Sequence, residues 1–322
     1  MDRFGRLHTY LRVSVTDRCN FRCVYCLPEE GTTWMPRDGL LRYEEIARIV
    51  GILAPMGLRR VRLTGGEPTV RRDIEDLVGA VAAVPGIEDL SMTTNAHRFA
   101  QTAHRLKKAG LRRVNISIDS LDAARFSRIT RGGDLAAVLA GIEAAVDAGL
   151  TPVKLNMVVM RGENDDEIVA LAGWALERAP AVQLRFIEYM PFDSRWHQNV
   201  PAQEMRQRIE AELGPLEPVP EKQGGGPATH WRSGPLILGF IAPITEHFCA
   251  SCNRLRLLAD GHLRTCLAHE KTPSLRDVLR SGATDEEVGA LLREIVMGKP
   301  AGPAAQAEGG VAFEGVMTQI GG

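Results

Sequence analysis

Leu11-Arg12-Val13-Ser14-Val15, followed at a short distance by Cys19-Asn20-Phe21-Arg22-Cys23-Val24-Tyr25-Cys26, is the stretch on which the reading of this chain turns. A run with β-strand alternation delivers the chain into a loop with three cysteines, spaced four and three residues apart. Three is odd and the spacings are too short for sensible bridges, so the triplet is not a disulfide framework. It suits a metal. A 4Fe-4S cluster is normally held by four thiolates. Three would leave one iron open to a substrate or cofactor, which is useful for chemistry and of little use for structure. The alternative here is a zinc site that borrows a distant histidine.

The strand at residues 11–15 has successors. Residues 61–64, 89–94, 113–118, 153–160 and 182–189 also read as strands, and residues 43–56, 73–84, 98–109, 135–148 and 165–177 have helical periodicity. Alternation at roughly 25–35 residues per unit argues for consecutive βαβ crossovers and a parallel sheet. Six units fall short of the usual eight-stranded barrel. The expected fold is α/β: an open, partial (β/α)6 TIM-like barrel with a C-terminal iron–sulfur-binding extension. The boundary is expected near residue 200, with 1–200 as the barrel and 201–322 as the cluster-binding and substrate-binding region. Residues 214–234, rich in proline and glycine, read as a flexible connection, and residues 298–315 as mobile.

Strand parity adds a clue. Parallel strands covered on both faces should be almost wholly apolar. Here polar residues alternate: Arg12 and Ser14; Arg62 and Thr64; Ser91, Thr93 and Asn95; Asn115, Ser117 and Asp119; Lys154 and Asn156; Gln183 and Arg185. Each set lies on one face of its strand. Helices need the apolar face, so the polar face must line the lumen. A polar lumen argues for a large ligand. Four inward positions, Arg12, Arg62, Lys154 and Arg185, are basic, and grouped buried cations make sense against a polyanion such as a triphosphate.

All six cysteines fall in two triplets, the second being Cys249, Cys252 and Cys266. With His269 nearby, the second also resembles a zinc site; beside the first triplet, another three-thiolate iron–sulfur cluster is the expectation. The 322 residues carry a net charge of -1. That gives no bulk attraction to nucleic acid or anionic membranes. The N-terminus lacks the apolar core of a signal peptide, no run is long enough to span a bilayer, and the expected location is cytoplasmic.

Taken together, Arg12-Val-Ser-Val-Thr-Asp-Arg-Cys19-Asn-Phe-Arg-Cys23-Val-Tyr-Cys26, Arg62-Leu-Thr-Gly-Gly-Glu-Pro68, Arg185-Phe-Ile-Glu-Tyr-Met190, Phe248-Cys249-Ala-Ser-Cys252-Asn-Arg254-Leu-Arg256-Leu and the terminal Gly321-Gly322 closely resemble the GTP 3′,8-cyclase family of radical S-adenosylmethionine (SAM) enzymes. The resemblance implies two 4Fe-4S clusters, on Cys19, Cys23 and Cys26 and on Cys249, Cys252 and Cys266. It implies SAM on the first, near Tyr25, Gly66, Ser117 and Met190. It implies GTP contacts at Arg12, Arg62, Thr93, Lys154, Arg254, Leu255 and Arg256, with Arg185 a further candidate. Arg12, Arg254 and Arg256 are expected to serve catalysis, and the Gly-Gly tail to reach toward the active site. Also implied are the first step of molybdenum cofactor biosynthesis, a reductant such as flavodoxin, a product passed to cyclic pyranopterin monophosphate synthase, and a monomer or homodimer. One departure is Asn95-Ala96, where Asn-Gly is common; residues 224–227 look like a variable loop. The rival within the superfamily is a two-cluster enzyme that modifies peptides. Such enzymes usually carry more C-terminal cysteines.

Overall fold

The computed structural model describes residues 1–190, 195–220, 226–246, 248–267, 272–302 and 317–319. Six βα units come first. Their strands are β1 (Tyr10–Ser14), β2 (Arg60–Thr64), β3 (Asp89–Thr94), β4 (Arg113–Ser117), β5 (Val153–Val159) and β6 (Val182–Glu188). Helices α1 (Tyr43–Leu53), α2 (Ile74–Ala82), α3 (Ala103–Ala109), α4 (Ala123–Thr130), α5 (Leu135–Asp147) and α6 (Ile168–Leu176) lie between them. The apolar stripe read from the sequence is the one α1 buries: Ile46, Ile49, Val50 and Leu53. These pack with Leu11, Val13, Val61 and Leu63 of the strands in a single hydrophobic core. The polar parity faces inward, and Ser14, Arg62, Thr64, Ser91, Asn115, Lys154 and Arg185 are all buried.

The C-terminal region adds to the same sheet at both ends. After α7 (Ala202–Leu213) come β7 (Glu217–Val219), β8 (Thr229–Ser233) and β9 (Leu236–Ile241). Strand β9 pairs in parallel with β6, and β8 and β7 follow antiparallel. Then β10 (Arg254–Leu257) pairs in parallel with β1, and β11 (Leu263–Arg264) covers β10. The order β11-β10-β1-β2-β3-β4-β5-β6-β9-β8-β7 gives an eleven-stranded sheet that does not close. Helices α8 (Leu275–Arg280) and α9 (Asp285–Met297) follow, and a short 3-10 turn at Met317–Gln319 comes later in the chain. Among the described residues no helix is long and apolar enough to cross a membrane.

Register turns parity into rows. Arg256, Arg12, Arg62 and Ser91 stand side by side across β10, β1, β2 and β3. Asn115, Lys154 and Gln183 form another row, and Ser117, Asn156, Arg185 and Gly239 a third. A Cβ on Gly239 would come within 2.7 Å of Arg185 Cγ, so the glycine leaves the arginine stem its place.

The structure departs from the sequence reading in four places. Residues 214–234 are not simply a flexible connection, because β7 and β8 form an edge hairpin there. The proline and glycine content of the stretch hid the short strand within it, of which His230 and Ser233 are buried. Helices α4 and α8 were not foreseen. At two turns each they are too short for periodicity to register, although Asp122 and Ser274 cap them by accepting from Arg125 N (2.6 Å) and Asp277 N (3.3 Å). The stretch read as mobile from residue 298 begins with a packed residue, Lys299, which is 2% exposed; residues 303–316 lie outside the described residues.

Candidate active site

Both triplets face one cavity of about 420 Å³, and all six cysteines line it as free thiols. The first loop rests on α4. Arg22 N donates to Thr130 O (3.0 Å) and Val24 N to Ile129 O (2.9 Å). Arg131 Nη1 donates to Leu27 O (3.0 Å) and Arg195 Nη2 to Val24 O (3.0 Å). The Gly65-Gly66-Glu67 turn packs backbone to backbone against its entrance, with Gly66 N donating to Thr16 O and Glu67 N to Arg18 O, both at 2.8 Å. Only glycine fits: Gly65 has φ +153, and a Cβ on Gly66 would sit 2.1 Å from Arg18 O. The Glu67 carboxylate is tied down by Thr94 Oγ1 (2.6 Å) and Asn95 N (2.6 Å). After Asn95, Ala96 adopts φ +58. A glycine, the residue expected here from the resemblance, would fit that backbone without strain; in this chain a methyl stands there, against Gly141 of α5.

Burial pushes the Cys19 thiol up to about 11, with Glu67 adding to it, and lifts Cys23 and Cys26 as well. Without a metal such thiols stay protonated; iron coordination removes the proton and reverses that balance. Phe21 N (3.4 Å) and Asn95 Nδ2 (3.8 Å) donate toward Cys19 Sγ, as a thiolate requires. Among the described residues no three His, Cys, Asp or Glu side chains stand close enough to hold a single ion. A loop of three half-buried thiols, one of them with N–H donors, fits a cluster. Beside it, Tyr25 donates to Asp119 Oδ2 at 2.6 Å, while Asp119 Oδ1 accepts from Val158 N at 2.9 Å. Burial raises the Asp119 carboxyl to about 6 despite these bonds. Gly66, Ser117 and Met190 also line this end.

The second triplet is held differently. Cys249 and Cys252 flank a single turn closed by Cys252 N donating to Cys249 O (3.1 Å), and Cys266 follows β11. Arg6 Nη1 grips Cys249 O (3.1 Å), and Lys299 Nζ stands 3.6 Å from Cys252 Sγ. Burial alone would raise the Cys252 thiol, but Arg254 and Lys299 outweigh it and bring it down to about 7. This donor set of three thiols also fits a cluster. His269, the fourth ligand of the zinc alternative, lies outside the described residues.

Between the loops the lining is basic. Arg12, Arg62, Arg185, Arg254 and Arg256 all face the cavity. Burial, reinforced by neighbouring guanidiniums, lowers Arg12 to about 10, Arg185 to about 9, and Arg256 well below its usual value. Thr93 Oγ1, Asn156 Oδ1 and Arg185 Nε are buried with no hydrogen-bond partner among the described residues, in a cavity they help line. Two expected GTP residues stand elsewhere. Lys154 lies in the row beneath, buried beside Arg185 and Arg113, and does not line the cavity. The Leu255 side chain packs into the hydrophobic core, because odd residues of β10 face the helices; only its backbone is left to meet a ligand. Met317 and Thr318 do line the cavity, with Met317 N donating to Cys26 O (3.3 Å). Gly321 and Gly322 lie outside the described residues.

Sequence reading assigned no role to Glu188, whose carboxylate accepts from Ala202 N, Ile244 N and Thr245 N, each at 3.0 Å, and so ties β6 to the C-terminal region. Its parity opposite to Gln183 and Arg185 hid it. Arg6 and Lys299 had no signal at all.

The cavity is therefore polarised. Carboxylates Glu67 and Asp119 stand at the first triplet, and arginines stand from there to the second. Residues 13–175 match the Radical SAM superfamily, and residues 182–304 match Molybdenum Cofactor Synthesis C. A GTP 3′,8-cyclase from Pelotomaculum thermopropionicum is 48% identical over 93% of this chain and 93% of its own. One from Moorella thermoacetica is 45% identical over 100% and 99%. Among solved structures, SuiB of Streptococcus suis bound to its precursor peptide SuiA aligns with TM-score 0.61 at 14% identity, covering 92% of this chain and 72% of that one. That likeness shows the fold alone. With two family models meeting in one cavity and relatives of 45–48% identity along nearly its whole length, the chain belongs to the GTP 3′,8-cyclase family of the radical SAM superfamily.

Proposed function

We propose that the cavity converts GTP to 3′,8-cyclo-7,8-dihydro-GTP, the first step of molybdenum cofactor biosynthesis, with SAM at its carboxylate end and GTP at its arginine end. The observation that carries this reading is the polarity itself. SAM bears a sulfonium and an ammonium, and Glu67 and Asp119 suit a cation. GTP bears a triphosphate, and the row of Arg256, Arg12 and Arg62 suits a polyanion.

Cys19, Cys23 and Cys26 would hold the first 4Fe-4S cluster, and Cys249, Cys252 and Cys266 the second. When bound, the first cluster and SAM supply reductive cleavage of SAM and the 5′-deoxyadenosyl radical that takes hydrogen from the GTP ribose. The chain's own groups place the reactants. The Gly65-Gly66 turn presents backbone where a side chain would block the approach to the loop. Tyr25, fixed by Asp119, and Ser117 and Met190 enclose SAM. Arg12, Arg62 and Arg185 clamp the triphosphate, and Thr93 Oγ1 offers a hydrogen bond to the nucleotide. Arg254 and Arg256 run from the second triplet back toward Arg12, so they orient the nucleotide between the two metal sites. Lys154, in the row of Asn115 and Gln183, acts from beneath through the positive potential it adds beside Arg185. In the same reading residues 1–200 are the radical SAM barrel, which holds SAM and lends arginines to GTP, and residues 201–322 bind the second cluster and the substrate; a one-electron donor such as flavodoxin feeds the first cluster, and cyclic pyranopterin monophosphate synthase takes the product.

Anaerobic turnover of the reconstituted protein with dithionite, SAM and GTP tests this by mass analysis. Deoxyadenosine together with a SAM-dependent isomer of GTP is expected. Deoxyadenosine with unaltered GTP would refute the substrate.

A further inference from the structure

Lys299 follows α9 and is almost wholly buried, yet it does not line the cavity. It therefore touches neither GTP nor SAM there. Its Nζ donates to Arg254 O at 2.6 Å and stands 3.6 Å from Cys252 Sγ. The segment that carries it is fastened from the N-terminus. Arg6 Nη2 donates to Pro300 O (2.6 Å), and its Nη1 donates both to Ala301 O (2.9 Å) and to Cys249 O (3.1 Å). Arg6 is itself held by Asp2, Nε to Oδ2 at 2.7 Å. One guanidinium thus bridges the loop of the second triplet and the residues after α9. Burying an ammonium is costly unless something nearby carries the opposite charge. The Cys252 thiolate is the anion in reach.

We propose that Lys299 is a positioning residue of the second cluster: its ammonium holds the Cys252 thiolate and makes that cluster easier to reduce, and Arg6 fastens the strap that delivers it. The reason is electrostatic. A reduced cluster carries one more negative charge than an oxidised one, so an adjacent cation and an N–H donor to sulfur both favour reduction. At the first triplet, among the described residues, Cys19 Sγ accepts from a backbone amide and an asparagine amide, which are neutral donors. This inference rests on the reading that Cys249, Cys252 and Cys266 hold a cluster.

The test compares the reconstituted full chain with K299M, K299R and R6M, by iron analysis and by redox titration followed by electron paramagnetic resonance. The signal that responds to added SAM marks the first cluster. In K299M the midpoint of the other cluster is expected to shift to more negative potential, while the SAM-responsive one stays in place; K299R, which keeps the cation, is expected to retain most of the original midpoint. Equal midpoints in wild type and K299M, or equal shifts of both clusters, would overturn the proposal. Should K299M fail to fold, R6M decides: several-fold faster loss of iron from the second cluster to a chelator is expected, and unchanged release overturns it. The underlying reading fails separately. Wild-type protein holding about four irons per chain rather than about eight would remove the second cluster, and the role of Lys299 with it.

Discussion

The two cysteine loops carry the same number of thiols and are built in opposite ways. The first is fixed mostly by backbone, with α4 below it and the Gly65-Gly66 turn beside it; Arg131 and Arg195 grip its carbonyls, and its Cys19 Sγ accepts from neutral amides. Its neighbours Glu67 and Asp119 are acids, and its thiols are pushed up. The second is fixed by cations: Arg6, Lys299 and Arg254 crowd around it, and Cys252 is pulled down. The difference shows that three cysteines at close spacing do not specify a chemistry. The charge around them differs, acidic at the first and basic at the second, and in the proposed reading that charge decides whether a cation or an anion is drawn to each end.

The sharpest break in this comparison is Cys19→Ala. Loss of deoxyadenosine formation to background is expected, measured in the anaerobic assay, and a normal rate would remove the first loop from SAM chemistry. Cys252→Ala should separate the halves. Deoxyadenosine still forms, cyclised product disappears, and iron falls from about eight to about four per chain. Removing one arginine should weaken only the basic half. Arg254→Ala forfeits a charge-assisted contact of roughly 1.5–3 kcal/mol, or roughly 10- to 100-fold in GTP affinity, with SAM affinity unchanged by calorimetry. Asp119→Asn should do the converse more mildly, weakening SAM by roughly 2- to 10-fold and leaving GTP alone.

The smallest effect concerns pH. Burial first, then Arg185 and Arg113, lower Lys154 to about 7 from the usual 10.5. Between those values the unfolded chain holds a proton that the folded chain lacks, so stability rises with pH across that window. Below about 7 both states are protonated and the full penalty of the buried charge applies. Lys154→Met should flatten this part of the profile of Tm against pH in nucleotide-free protein. A slope identical to wild type would place the amine in a milder setting.

Much of the site was legible because its signals are local. The first triplet, the Gly65-Gly66 pair and the inward parity of six strands are matters of spacing and alternation, which survive folding unchanged. The rows were not legible. That Arg256 stands beside Arg12 depends on β10 adding to the sheet next to β1, more than two hundred residues away in the chain. Leu255 shows the limit of carrying a motif over as a block: it sits between two cavity arginines, and its own side chain points the other way. Lys299 shows the opposite failure, a buried lysine in a stretch whose composition signals only looseness.

The sequence by itself determined the chemistry available: six thiols in two groups, a strand–helix alternation that builds a parallel sheet, and a polar inner face rich in cations. Tertiary structure decided where that chemistry acts. Sheet order brought the two triplets to one cavity, register lined up the arginines, and long-range contacts from Arg6 and Lys299 gave the second loop its charge. Spacing along the chain fixes which donors can share a metal, whereas the field those donors feel is set by groups that only folding brings near.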